Sequence, residues 1–135
     1  MPALKDRRLF LSHAWSYDSH YNQLVKWFDD EPNFDWRNYS VPSHDACSET
    51  TNKGLKECLT RQMNPTNGII IMAGMYAAHS DWIDYEIDEA VRMGKTIIGV
   101  KPWGQERVPK KIQDAADTMV SWQSASIISA VRAWI

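Results

Sequence analysis

Two stretches of this chain leave little freedom in how it can fold. Gly68-Ile69-Ile70-Ile71-Met72-Ala73-Gly74 and Lys95-Thr96-Ile97-Ile98-Gly99-Val100 are β-branched, apolar and free of polar alternation. A strand with one wet face alternates apolar and polar residues. A continuous apolar run is covered on both faces, as in the centre of a parallel sheet. Parallel neighbours need crossover connections, and the sequence supplies them. Arg8 to Ser12 reads as a first strand. Asp18 or Ser19 can cap a helix through Tyr21, Leu24, Val25, Trp27 and Phe28, which Pro32-Asn33 ends. Trp36 to Val41 reads as a short strand, and a polar loop runs from Pro42 to Asn52. Leu55, Cys58, Leu59 and Met63 mark a helix stopped by Asn64-Pro65. After the Gly68 strand a helix is expected from Ser80 to Met93, ended by Gly94. A short helix near Lys110 to Ala116, a strand at Thr118 to Ser121 and a helix from Ser124 to Trp134 complete the series.

Strands and helices therefore alternate five times, which implies right-handed crossovers and one parallel sheet. The fold class expected is α/β and flavodoxin-like: a three-layer sandwich with a five-stranded parallel sheet in the order 2-1-3-4-5. At 135 residues the chain is expected to be a single domain, 1–135.

Composition narrows the function classes. Fifteen basic against seventeen acidic residues give a formal charge of −2. The basic residues are scattered, which argues against a nucleic-acid partner or an anionic membrane. No apolar run approaches the roughly 20 residues of a membrane span, and the N-terminus lacks a secretory signal. Two cysteines, Cys47 and Cys58, are too few for a disulfide framework. A reducing cytoplasm is the expected location, with Cys58 as a core thiol. Seven tryptophans stand out. Trp27, Trp36, Trp122 and Trp134 fall on elements where they read as packing. Trp15, Trp82 and Trp103 fall near the carboxyl edge of the sheet.

In this topology ligands bind beyond the carboxyl ends of strands 1 and 3, where the strand order reverses. Ser12, His13 and Trp15 lie in the first loop; Tyr76, His79 and Ser80 lie in the second. The helix that follows gives an independent clue. At about 100° per residue from Ile83, Glu86 falls at about 300°, inside an arc shared with Ile87, Ala90 and Val91. Asp84, Asp88 and Arg92 point the other way. A carboxylate on an apolar face is paired, protonated or used. It can equally be a structural group at the edge of the core.

Several chemistries do not fit. A phosphoreceiver needs acids at the ends of strands 1 and 3, where this chain has Ser12-His13 and Gly74-Met75. No G-x-x-x-x-G-K-[ST] or G-x-G-x-x-G loop occurs. His44, Asp45, Cys47 and Cys58 lack a metal-ligand spacing, so no metal is expected.

Specific strings then add a resemblance. Phe10-Leu11-Ser12-His13 resembles the opening motif of TIR domains. Asp81-Trp82-Ile83-Asp84-Tyr85-Glu86-Ile87 resembles the W-x-x-x-E signature of TIR domains that cleave NAD⁺. Tyr39-Ser40-Val41-Pro42, Ala73-Gly74-Met75-Tyr76 and Pro102-Trp103-Gly104-Gln105 with Pro109 are similar to the bacterial TIR-like subfamily. That subfamily includes the TIR-like proteins of the Thoeris anti-phage system. The resemblance implies Glu86 as catalytic residue. It implies a pocket of Phe10, Ser12, His13, Gly74, Met75 and Trp82, with Asp45 reaching in from a mobile loop at Ser43 to Thr51. It further implies NAD⁺ as substrate rather than cofactor, nicotinamide release and an ADP-ribose-derived nucleotide signal. The partners implied are a separate effector that answers to the product, a phage trigger and a self-associated form. Two other readings stay open: a non-catalytic TIR-like interaction module, and a nucleoside deoxyribosyltransferase-like enzyme.

Overall fold

A computed structural model describes residues 7–12, 20–39, 52–73, 76–101 and 109–135. In chain order the elements are β1 (Arg7–Leu11), α1 (His20–Asp30), β2 (Trp36–Asn38), α2 (Asn52–Met63), β3 (Gly68–Met72), α3 (Tyr76–Arg92), β4 (Thr96–Lys101), α4 (Lys110–Ala115), β5 (Thr118–Ser121) and α5 (Ser124–Trp134). The strands form one parallel sheet in the order β2-β1-β3-β4-β5. β1 and β3 lie side by side, with Leu9 opposite Gly68, Phe10 opposite Ile69 and Leu11 opposite Ile70.

Successive side chains of a strand point to opposite faces, and both faces here are filled. Phe10, Ile69, Ile71 and Ile97 join Leu59 and Met63 of α2, Ile83, Ile87 and Ala90 of α3 and Ile112 of α4. Leu9, Leu11, Ile70, Ile98 and Val100 join Leu24 and Phe28 of α1 and Ile127, Ile128 and Val131 of α5. This two-sided cover is why β3 and β4 read as unbroken apolar runs. Ile69, Ile70 and Ile71 are all fully buried. Each such side chain contributes about 1.5–3 kcal/mol relative to exposure.

Helix ends follow local chemistry. Gly94 has φ +70, in the left-handed region that suits glycine. Its N–H donates to Val91 O and that of Lys95 donates to Ala90 O, at 3.1 and 2.8 Å. This pair of bonds is a Schellman motif, and it satisfies two carbonyls at the end of α3.

The structure departs from the sequence reading at four points. α3 begins at Tyr76 instead of Ser80, because Ala77 and Ala78 favour helix and a capping serine is not needed to start it. Val91 is 60% exposed, since the six-residue α4 leaves the last turns of α3 partly uncovered. Trp134 is 50% exposed instead of packed, the inward place being taken by Ile135. Ile135 seats so closely on β3 that a Cβ at Gly68 would come within 2.2 Å of its Cδ1. Cys58 is buried as expected but forms a disulfide instead of standing as a free thiol. The other cysteine, Cys47, lies outside the described residues. The remaining tryptophans in the described residues pack. Trp27 meets Trp122 at a tilt, their ring centres 4.6 Å apart, and Trp36 meets Phe28 edge-on at 4.9 Å.

Candidate functional site

The site is built where β1 ends. Ser12 follows Leu11 directly, and its N–H donates to Ile70 O of β3 at 2.9 Å. That bond continues the β1–β3 ladder by one rung and fixes the backbone of Ser12 to the sheet. From there the Ser12 hydroxyl donates to Glu86 Oε2 at 2.6 Å. Ser12 is 1% exposed and Glu86 is 0% exposed. Glu86 stands beyond the middle of α3, on the side that carries Ile83, Ile87 and Ala90 into the core. The helical spacing that places it inside the apolar arc thus leads to a fully buried acid.

A buried carboxylate is costly unless hydrogen bonds receive its lone pairs. A distance of 2.6 Å suits an O–H group donating to an ionised oxygen. The elements therefore deliver a carboxylate and a hydroxyl, 74 residues apart in sequence, to the carboxyl edge of the two central strands. A carboxyl held there out of water, when ionised, acts strongly on any positive charge that develops beside it.

Of the other expected pocket residues, Phe10 is fully buried in β1 and belongs to the core on the α3 side. Trp82 is partly buried, one turn before Glu86, and packs against the same core. Tyr76 opens α3, so it belongs to the helix instead of the loop expected for it; its side chain lies outside what is described. His13, Trp15, Asp45, Gly74, Met75 and Trp103 lie outside the described residues. Among the described residues, no three His, Cys, Asp or Glu side chains gather as a metal site. No described helix is long and apolar enough to cross a membrane.

Sequence reasoning missed a second polar cluster, between α2 and α3. Thr60 Oγ1 lies 2.5 Å from the Tyr85 hydroxyl and 3.0 Å from Glu89 Oε2. Tyr85 also reaches the Lys56 carbonyl at 3.1 Å. Arg92 grips Glu89 with two N–H groups, at 3.1 and 2.7 Å. The Arg92 hydrogen bond, with that of Thr60, holds the Glu89 carboxyl below the usual glutamate range against the opposing effect of burial. The Glu89–Arg92 spacing is a legible helical pair, whereas Thr60 arrives from another helix.

This arrangement defines a flavodoxin-like α/β protein with a buried acid at its switch point. A family profile described as "Thoeris protein ThsB, TIR-like domain" matches residues 10–107. That span exceeds half of the chain and takes in Phe10, Ser12, Trp82 and Glu86, so the chain belongs to this TIR-like family. No curated protein shows significant sequence similarity to it. Among solved structures, that of the Clostridium botulinum CMP N-glycosidase BcmB is similar, with a TM-score of 0.55. The match covers 95% of this chain and 100% of the other at 11% identity, a likeness of fold.

Proposed function

We propose that the protein cleaves the N-glycosidic bond of NAD⁺, releases nicotinamide and forms an ADP-ribose-derived nucleotide signal in anti-phage defence. The observation that carries this reading is Glu86: a fully buried carboxylate at the end of β1, held by Ser12, within the Trp82-x-x-x-Glu86 pattern. Nicotinamide in NAD⁺ is already cationic. When the bond breaks, both electrons pass to the ring nitrogen and nicotinamide leaves neutral, so no general acid is required. Positive charge develops instead on the ribosyl carbon, as in glycosidase transition states. Glu86 stabilises that charge from a water-excluded position. An acceptor then adds to the carbon and gives up a proton. Water yields ADP-ribose; a hydroxyl or adenine nitrogen of the same molecule yields a cyclic isomer, the product proposed here.

NAD⁺ is substrate in this scheme, with no cofactor or metal. The further partners proposed are a separate effector protein that responds to the product, a phage protein as trigger and a second copy of the chain. The cytoplasm is the proposed compartment, and in it the Cys58 disulfide is expected to be reduced.

The test is direct. Purified protein is incubated with NAD⁺, with and without phage-infected lysate, beside a Glu86→Gln variant that keeps the shape and removes the charge. Nicotinamide release by the wild type should fall by about 10²–10³-fold or more in the variant. Release that survives in Glu86→Gln overturns the role of Glu86. The full-length likeness to a CMP N-glycosidase favours a second reading, in which the same carboxylate acts on a nucleoside monophosphate. Cytosine release from CMP, with NAD⁺ left intact, would select it. Silence towards both substrates favours an interaction module.

A further inference from the structure

We infer that Ser12 is a positioning residue, whose hydroxyl acts on the reaction through Glu86 and not on the substrate. The inference rests on Glu86 being the catalytic carboxylate. Sequence reasoning placed Ser12 in the pocket as a substrate contact, and proton counting argues otherwise. A serine hydroxyl carries one hydrogen. Here that hydrogen is given to Glu86 Oε2 at 2.6 Å, between a residue 1% exposed and one 0% exposed. It is therefore not available to donate to a ribose or a phosphate.

The value of the contact lies in what anchors each end. A glutamate carboxylate sits at the end of three rotatable bonds. Serine has one, and its backbone is fixed by the N–H to Ile70 O bond of 2.9 Å. The hydroxyl thus takes its place from the sheet and passes it to a longer and looser side chain on α3. Orientation of this kind matters because an acid misplaced by about 1 Å can cost about 10²-fold in rate. A mere staple between β1 and α3 would make the same bond, but its loss would lower stability and leave turnover alone.

The two roles separate in the kinetics of Ser12→Ala and Ser12→Thr, measured with NAD⁺ well below the melting temperature of each variant. Ser12→Ala should lower kcat by about 10- to 100-fold with KM within about twofold of wild type. Ser12→Thr, which restores a hydroxyl, should recover most of that loss. A raised KM with kcat intact makes Ser12 a substrate contact and overturns the inference. So does a Ser12→Ala variant that melts earlier yet turns over normally. Should threonine not fit, the split between kcat and KM in Ser12→Ala still decides. Wild type that releases no nicotinamide under any condition removes the reading of Glu86, and this inference with it. Active wild type with unaffected Ser12→Ala removes the inference alone.

Discussion

Glu86 and Glu89 stand three residues apart on one helix, and the protein treats them in opposite ways. Glu89 lies at the α2–α3 seam with its side chain 15% exposed, gripped by the Arg92 guanidinium and by Thr60. Its charge is answered by an opposite charge, in a geometry that needs nothing from outside. Glu86 is turned one face over, into the apolar side of α3, where the Ser12 hydroxyl meets it. The first arrangement fastens two helices together. The second holds a buried carboxyl at a place where the topology directs ligands. A carboxylate's role follows from the face of the helix that carries it more than from its neighbours in sequence.

The largest expected effect would break this comparison outright. Glu86→Gln should cut nicotinamide release by about 10²–10³-fold or more, while Glu89→Gln should leave it within a few-fold of wild type. Equal losses in the two assays would mean that the two acids do not divide the work. Next in size is stability. Glu89→Ala should lower the melting temperature by roughly a few degrees, since Arg92 and Thr60 both lose their acceptor. Thermal melts of that variant with normal turnover per folded molecule would place Glu89 wholly on the structural side.

The acid limb sharpens the contrast further. The Arg92 hydrogen bond depresses the Glu89 carboxyl in the folded state, so the unfolded chain binds its proton more readily. The associated stability is present in full above the ordinary glutamate value, about 4.3 in unfolded chains, and is lost as pH falls through the lowered folded value. Between the ordinary glutamate value and that lowered folded value, the melting temperature should fall less steeply with falling pH for Glu89→Gln than for wild type. The smallest effect concerns Thr60. Thr60 and Tyr85 have two hydroxyl hydrogens between them and three acceptor contacts to satisfy, at Glu89, at Lys56 O and between themselves. Only two can be filled at once. Thr60→Val should therefore cost about 1 kcal/mol, measured by denaturant unfolding.

The fold was legible where one physical cause acts over many residues. The runs at Ile69 to Ile71 and Ile97 to Val100 announce two-sided burial, and the strands they form, β3 and β4, pair in the interior of the sheet. β5 at Thr118–Ser121 and α5 at Ser124–Trp134 match the expected limits because loop residues bound them on both sides. Boundaries governed by competing local preferences were less readable. Ser80 looks like a cap, yet the helix starts at Tyr76. At the site, the burial of Glu86 could be read from its angle on the wheel. Its bond to Ser12 could not, because nothing local links positions 74 residues apart. Thr60 was invisible for the same reason, and two cysteines with no framework spacing gave no sign that Cys58 forms a disulfide. His13, Gly74 and Met75 rest on motif likeness, Trp15 on its loop after β1, and Asp45 on the loop that the family resemblance makes mobile.

The rung from Ser12 N–H to Ile70 O carries a consequence for motion. An amide at the end of a central ladder exchanges with solvent only when that ladder opens. In a domain of this size, opening at the centre of the sheet approaches the cost of global unfolding, about 5–15 kcal/mol. The floor of the site should therefore hold its deuterium long after the helix ends have lost theirs. Ser12 and Glu86 are therefore expected to keep their relative places when a substrate binds.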